Sequence, residues 1–288
     1  METADLLKRV RRIEIKTRGL TQHIFAGEYH SAFKGKGMAF SEVREYQYGD
    51  DIRNIDWNVT ARFNHPYVKI YEEERELTVM LLIDVSGSRE FASHVQLKKS
   101  LITEIAAVLA FSAITNNDKI GVILFSDQIE KFIPPKKGIQ HILRIIRELI
   151  YFEPKSRGTN ISNAIQYLIN AIKKRSTAFL ISDFMDEGFD DALKIGNRKH
   201  DLIALRVYDT RETELPGVGL IKMRDAETGK LIWVDSLRKS VREKYAKYWQ
   251  ENTMRIHEIL RKVGIDFADI ATHEDYVKPL MLLFKKRA

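Results

Sequence analysis

Three short polar stretches hold the side chains with the most chemistry to offer. Asp84-Val85-Ser86-Gly87-Ser88 follows an apolar run, Asp183 follows another, and Gly158-Thr159-Asn160 leads into a helical pattern that starts at 161. Together they supply the carboxylates of Asp84 and Asp183 and the hydroxyls of Ser86, Ser88 and Thr159, with no His or Cys among them. An all-oxygen set suits a hard cation such as Mg²⁺ or Mn²⁺ and disfavours zinc. Mg²⁺ takes about six oxygens at roughly 2.0–2.1 Å and usually keeps several waters, so a place can remain for an acidic group from a partner. Any one of these residues alone is more often a helix cap or turn former than a ligand. The D-x-S-x-S spacing directly after a buried strand, with Thr159 and Asp183 in two further loops, is what points to a metal.

The loops meet only if the elements around them place them on one edge. Leu77 to Ile83 is a continuous apolar run ending in Asp84, the pattern of a strand covered on both faces. Lys119 to Phe125, Thr177 to Ser182 and Leu202 to Tyr208 repeat it, and Ile265 to Ala271 reads as a last strand. Ile129 to Ile133 reads as a short return strand stopped by Pro134-Pro135. Helical periods fall between them at about 94–116, 139–150, 161–173, 190–197, 237–262 and 274–285, and a hairpin is predicted over 218–235 with its turn at Thr228-Gly229. Strands alternating with helices predict an α/β fold, a doubly wound, mostly parallel Rossmann-like sheet. Such sheets bind ligands beyond the carboxyl ends of their strands, where these three loops lie.

Residues 1–76 form an N-terminal extension and residues 77–288 the α/β domain. In the extension, 5–20 reads as an amphipathic helix, 40–62 as a polar, aromatic-containing segment, and Tyr67 to Tyr71 as a strand. Its cluster Asp50, Asp51, Arg53, Asp56 and Trp57 has two readings: an ion-pair network tying the extension to the domain, or a docking surface.

Composition narrows the function classes. The 288 residues are 44% hydrophobic and 30% charged, a globular mix, and they contain no cysteine, which excludes disulfides and thiolate chemistry. No apolar run approaches the roughly 18–20 residues of a membrane helix, and no signal-peptide core is present, so the expected location is cytoplasmic. Net charge is +7, with residues 1–76 neutral and the excess in 77–288. The basic residues come in short clusters such as 173–175 and 285–287, without interleaved aromatics, which makes nucleic acid an unfavoured partner.

Asp84-x-Ser86-x-Ser88 with Thr159 and Asp183 resembles the metal-ion-dependent adhesion site of the von Willebrand factor A domain, and residues 77–288 resemble that domain in element order. The resemblance implies sheet order 3-2-1-4-5-6 with an antiparallel third strand, here Ile129 to Ile133. It implies that Ser86, Ser88 and Thr159 bind the cation directly, and that Asp84 and Asp183 bind it directly or through water. The segments Gly37-Met38-x-Phe40-x-Glu42-Val43-Arg44-x-Tyr46, Gly49-Asp50-Asp51-Ile52-Arg53-x-Ile55-Asp56-Trp57 and Glu73-Glu74-Arg75-Glu76-Leu77 resemble the bacterial domain-of-unknown-function 58 family. That resemblance implies a partnership with a MoxR-type AAA+ ATPase, or with another protein that supplies an acidic residue.

The enzyme readings are weaker. Ser86, Asp183 and His273 follow the chain order of an α/β-hydrolase triad, but position 84 is Asp where the nucleophile elbow needs Gly. A carboxylate there would also oppose a developing oxyanion. An aspartyl phosphatase needs a second Asp where Ser86 stands. There is no G-x-x-x-x-G-K-[ST] loop, so ATP hydrolysis by this chain is not expected. The reading is therefore a non-catalytic adaptor that binds a partner through a Mg²⁺-dependent site. The alternative is a scaffold with a structural or unused metal site that meets an acidic partner through its basic face.

Overall fold

The computed structural model describes residues 38–73, 77–86, 95–224 and 231–287. The predicted helix at 5–20, Ser88 and the turn at Thr228-Gly229 lie outside them. The chain divides into two compact units, Lys34–Leu77 and the chain from Thr78 onward.

In the smaller unit, residues read from sequence only as a polar segment form regular elements. Strand β1 (Met38–Glu45) pairs antiparallel with β2 (Tyr67–Glu73), with a bulge between Phe40 and Glu42. A 3-10 turn (Ile52–Asn54) and helix α1 (Trp57–Phe63) bridge the two strands. Asp51 caps the first and Asp56 the second, each accepting backbone N–H groups that the turn leaves unpaired.

The larger unit is built on six strands: β3 (Thr78–Asp84), β4 (Lys119–Phe125), β5 (Ile129–Lys136), β6 (Thr177–Ser182), β7 (Asp201–Tyr208) and β10 (Asp266–Ala271). Their order is β10-β7-β6-β3-β4-β5, all neighbours parallel except β4 and β5. Numbered within the sheet this is 3-2-1-4-5-6 with the third strand antiparallel, as the resemblance implies. Helices α2 (Val95–Thr115), α3 (Ile139–Tyr151), α4 (Ile161–Ala171), α5 (Asp190–Lys199), α7 (Lys239–Val263) and α8 (Val277–Arg287) accompany it. The short helix α6 (Thr210–Thr213) and the hairpin β8 (Leu220–Arg224) and β9 (Leu231–Asp235) lie between β7 and α7.

Strand alternation explains the two cores. Met80, Leu82, Ile123, Phe125, Ala178 and Leu180 share one cluster with Ile161, Ile165 and Leu168 of α4, Leu193 of α5 and Ile256 and Leu260 of α7. The residues that alternate with them, such as Leu81, Val122 and Phe179, are in register with one another and equally buried. The apolar runs were continuous in sequence because both faces are covered. Ile105 through Ala110 of α2 are all fully buried, so this helix is enclosed on every side over that stretch.

One strand differs from its prediction. β5 does not stop at Pro134-Pro135 but continues to Lys136, and its pairing to β4 skips the two prolines through an irregularity opposite Gly121. An edge strand tolerates proline because it has one open side. Gly121 lets the strands close: a Cβ there would lie 2.8 Å from Met80 Sδ and 2.9 Å from both Ile133 O and Pro135 N. Gly121→Val is expected to cost about 2–3 kcal/mol of stability by overpacking. A urea unfolding midpoint equal to wild type would contradict that account.

A buried histidine carries a pH dependence. His200 is fully buried at the end of α5, with Nδ1 3.0 Å from Ser176 Oγ and Nε2 without a hydrogen-bond partner. Burial, with Lys199 and Arg175 nearby, pushes its pKa down to about 4. The ring is therefore neutral in the fold at pH values where the unfolded chain takes up a proton. Its contribution to stability is whole above pH ~6.5 and is lost as pH falls toward the folded value. The drop in thermal midpoint between pH 7 and pH 5 is expected to be smaller in His200→Asn than in wild type. Equal drops would remove His200 as the cause.

Candidate metal-binding site

Asp84 ends β3 in register with Phe125, and the next residue, Val85, donates its N–H to Phe125 O at 2.7 Å. The Asp84 carboxylate is 3% exposed. Its Oδ1 accepts the Ser86 N–H at 2.9 Å and its Oδ2 accepts the Ser182 hydroxyl at 2.6 Å. That second bond exists because β6, which ends at Ser182, is the strand beside β3.

Asp183 is the next residue and is equally buried. Its Oδ1 accepts the Met185 N–H at 3.2 Å, while Ser182 Oγ accepts the Phe184 N–H at 3.0 Å. Phe184 turns the chain here with φ 59°, a left-handed conformation, and its fully buried ring packs edge-on against Phe189. A non-glycine residue in that region carries ~1–3 kcal/mol of strain, held in place here by the packed ring.

Thr159 arrives from the other side of β3. Asn160 donates its N–H to Ser126 O at 2.9 Å, just past the end of β4, and caps α4 through Asn163 N–H. This fixes the loop at the carboxyl end of the sheet. Thr159 Oγ1 is buried there without a hydrogen-bond partner.

Three contributors lie outside the predicted set of Asp84, Ser86, Ser88, Thr159 and Asp183. Ser182 is one. The others are Lys98, on the first turn of α2, and Glu212, on α6. Lys98 is 5% exposed, and its ammonium lies 3.0 Å from Asp183 Oδ2 and 3.4 Å from Glu212 Oε2. The place of Lys98 on the apolar stripe of α2, three residues before Leu101 and seven before Ile105, was the available clue.

The electrostatics are those of a crowded anionic site. Burial and the neighbouring Asp183 carboxylate push Asp84 up to about 6. Burial works against the Lys98 charge, but Asp183 and Glu212 outweigh it and raise its pKa. Burial raises Glu212 as well, with Lys98 opposing.

Among the described residues no three His, Cys, Asp or Glu side chains gather as a metal cage. A cation here would draw on two carboxylates, hydroxyls and water. The donor chemistry fits a hard ion on two observations. Burial and the neighbouring Asp183 carboxylate raise the cost of ionising Asp84, and a buried threonine hydroxyl faces no protein partner. Ser86 is fully buried at the same strand end.

His273 is exposed past β10 and contacts Thr210 Oγ1 at 3.3 Å and Glu274, while Asp183 Oδ2 engages Lys98. The Asp50–Trp57 set is held by local bonds within the smaller unit. Asp50 takes a two-pronged bond from Arg44 at 2.7 and 2.9 Å, and Asp51 pairs with Arg53. Asp56 caps α1 and pairs with Lys69 at 3.6 Å, and Trp57 is 68% exposed. No helix among the described residues is long and apolar enough to cross a membrane.

Strand order and the antiparallel edge strand define an α/β domain on a doubly wound, mostly parallel six-stranded sheet, with a carboxylate pair at its carboxyl end. The chain belongs to the family described as protein of unknown function DUF58, whose model matches residues 42–255. An uncharacterized protein of Mycobacterium tuberculosis is 26% identical over all of this chain and 91% of its own length. Among solved structures, an aerotolerance-related membrane protein from Bacteroides fragilis aligns over 73% of this chain and 98% of its own, at 18% identity and TM-score 0.47. A proximal thread matrix protein from the mussel byssus, solved with a zinc-occupied metal-ion-dependent adhesion site, aligns over 46% of this chain and 38% of its own, at 15% identity and TM-score 0.38.

Proposed function

We propose that the chain is a non-catalytic adaptor that binds a protein partner through a divalent cation, Mg²⁺ or Mn²⁺, held at the carboxyl end of β3 and β6. The observation that carries the reading is two buried carboxylates, Asp84 and Asp183, that interact electrostatically, with the unpartnered Thr159 hydroxyl in a loop fixed at the same end of the sheet. Ser86, Ser88 and Thr159 would hold the ion, with Asp84 and Asp183 close or through water. When bound, the ion supplies a positive centre that a partner's Asp or Glu can complete. The protein's own residues supply the rest: a rigid sheet edge, dry surroundings and hydrogen bonds that aim the carboxylates.

The partner we propose is a MoxR-type AAA+ ATPase in a cytoplasmic assembly or chaperone-like role, as the signature segments at 37–57 and 73–77 imply. The test is capture of the purified ATPase on the immobilised chain in Mg²⁺ and in EDTA. Retention in Mg²⁺ that is lost in EDTA is the expected result. Retention in both would place the interface elsewhere.

A second reading has one observation in its favour: Lys98 already supplies a cation to Asp183. The site would then be structural or unused, and the basic face of 77–288 would meet an acidic partner. Binding that collapses with NaCl but ignores EDTA favours this reading.

A further inference from the structure

We propose that Lys98 is a resident cation of this site, a positioning residue whose ammonium holds Asp183 until a divalent ion displaces it onto Glu212. The inference deepens the metal-dependent reading and rests on it.

The geometry is specific to one oxygen. Lys98 Nζ donates to Asp183 Oδ2 at 3.0 Å, and Asp183 Oδ1 accepts the Met185 N–H at 3.2 Å. Both oxygens are engaged, so an ion approaching Asp183, directly or through an ordered water, competes with the ammonium for Oδ2. Glu212 waits within reach: Lys98 Nζ is 3.4 and 3.5 Å from its two oxygens, at the long limit of hydrogen bonding. The Asp209 N–H, 3.3 Å from Glu212 Oε2, steadies that carboxylate at the end of β7. A lysine suits the exchange because its charge is compact and its stem flexible, so a small rotation transfers it between acceptors. The charges agree. Asp183 and Glu212 both contact the one ammonium, and the Asp84 charge adds to the field it feels, so a divalent ion is favoured once the ammonium has moved aside.

A purely structural ion pair and a displaceable cation predict opposite results. The experiment is calorimetric titration of the full chain with MnCl₂ and, separately, MgCl₂. Wild type is compared with Lys98→Met, which keeps the buried stem, with Glu212→Gln, and with the control Lys99→Met, whose ammonium bonds Phe152 O at 3.2 Å. Lys98→Met is expected to bind about tenfold tighter, because a competing charge within a few ångströms is gone. Glu212→Gln is expected to bind about tenfold weaker, because the displaced ammonium loses its second acceptor. Lys99→Met is expected to stay within about twofold, since its charge lies outside the pair. Binding that appears only in Lys98→Met overturns the displacement, since the ion then never moves the native ammonium. Equal or weaker binding by Lys98→Met, with wild type still binding, overturns the proposal and leaves the metal site standing. No binding by wild type or Lys98→Met up to millimolar ion overturns both. Should Lys98→Met fail to fold, Glu212→Gln decides: affinity unchanged from wild type overturns the proposal.

Discussion

In Asp84→Ala, affinity for Mn²⁺ is expected to fall about 100-fold or more, beyond the cost usually seen on removing even an outer-sphere partner of a metal. The fold is expected to survive. The substitution leaves the Ser182 hydroxyl and the Ser86 N–H without their acceptor, a loss of about 1–3 kcal/mol. Against this, it removes one of two buried carboxylates that repel each other. The two effects oppose, so the thermal midpoint in EDTA is expected to stay near wild type while metal stabilisation disappears. Calorimetry with MnCl₂ and thermal unfolding with and without Mg²⁺ read both quantities. Wild-type affinity in Asp84→Ala would remove the residue from the site, and global unfolding would make its role structural.

The second large effect concerns the residue after Asp183. Phe184→Ala is expected to lose about 3–5 kcal/mol, the usual range for emptying a buried phenylalanine site. Phe184→Gly separates packing from backbone conformation. Glycine in a strand or helix is normally worse than alanine, but at φ 59° it lifts the steric cost of the left-handed turn. Phe184→Gly is therefore expected to be no less stable than Phe184→Ala, a reversal that urea unfolding would show. If glycine is clearly the worse of the two, the turn stores no strain. Both variants also loosen the loop that aims Asp183, so weaker Mn²⁺ binding is expected alongside.

Much of the larger unit was legible because its physics is local. Apolar runs of strand length, bounded by polar loops, gave Lys119–Phe125 and Thr177–Ser182 at their observed limits. Helical periods gave α2 and α7 to within about two residues of their observed ends. The strand order came from motif resemblance, since nothing in β3 alone states that β4 and β6 are its neighbours. The smaller unit was less legible. β1 mixes Glu, Arg and Ser with Phe and Val around a bulge, which breaks the two-residue alternation that announces a strand. Asp84 and Asp183 could be placed at one sheet edge from sequence because one ends a strand and the other directly follows one. Lys98 and Glu212 could not, because their partners lie 85 and 114 residues away from Lys98 in sequence. Buried ion pairs of that kind leave no periodic trace; only a charged residue on an apolar stripe hints at them.

The irregular pairing of β5 bears on how the chain avoids self-association. A sheet edge with a full row of free amides and carbonyls can template another strand and so seed aggregation. This edge has two consecutive prolines, neither with an amide hydrogen, at a step where the ladder to β4 is already interrupted. An incoming strand, from a second copy or a partly folded one, would find no continuous row of donors there. The apolar strands behind it, buried on both faces, are the segments most prone to grow into an intermolecular sheet if they meet before folding is complete. The proline pair thus acts as a stop against sheet growth along that edge.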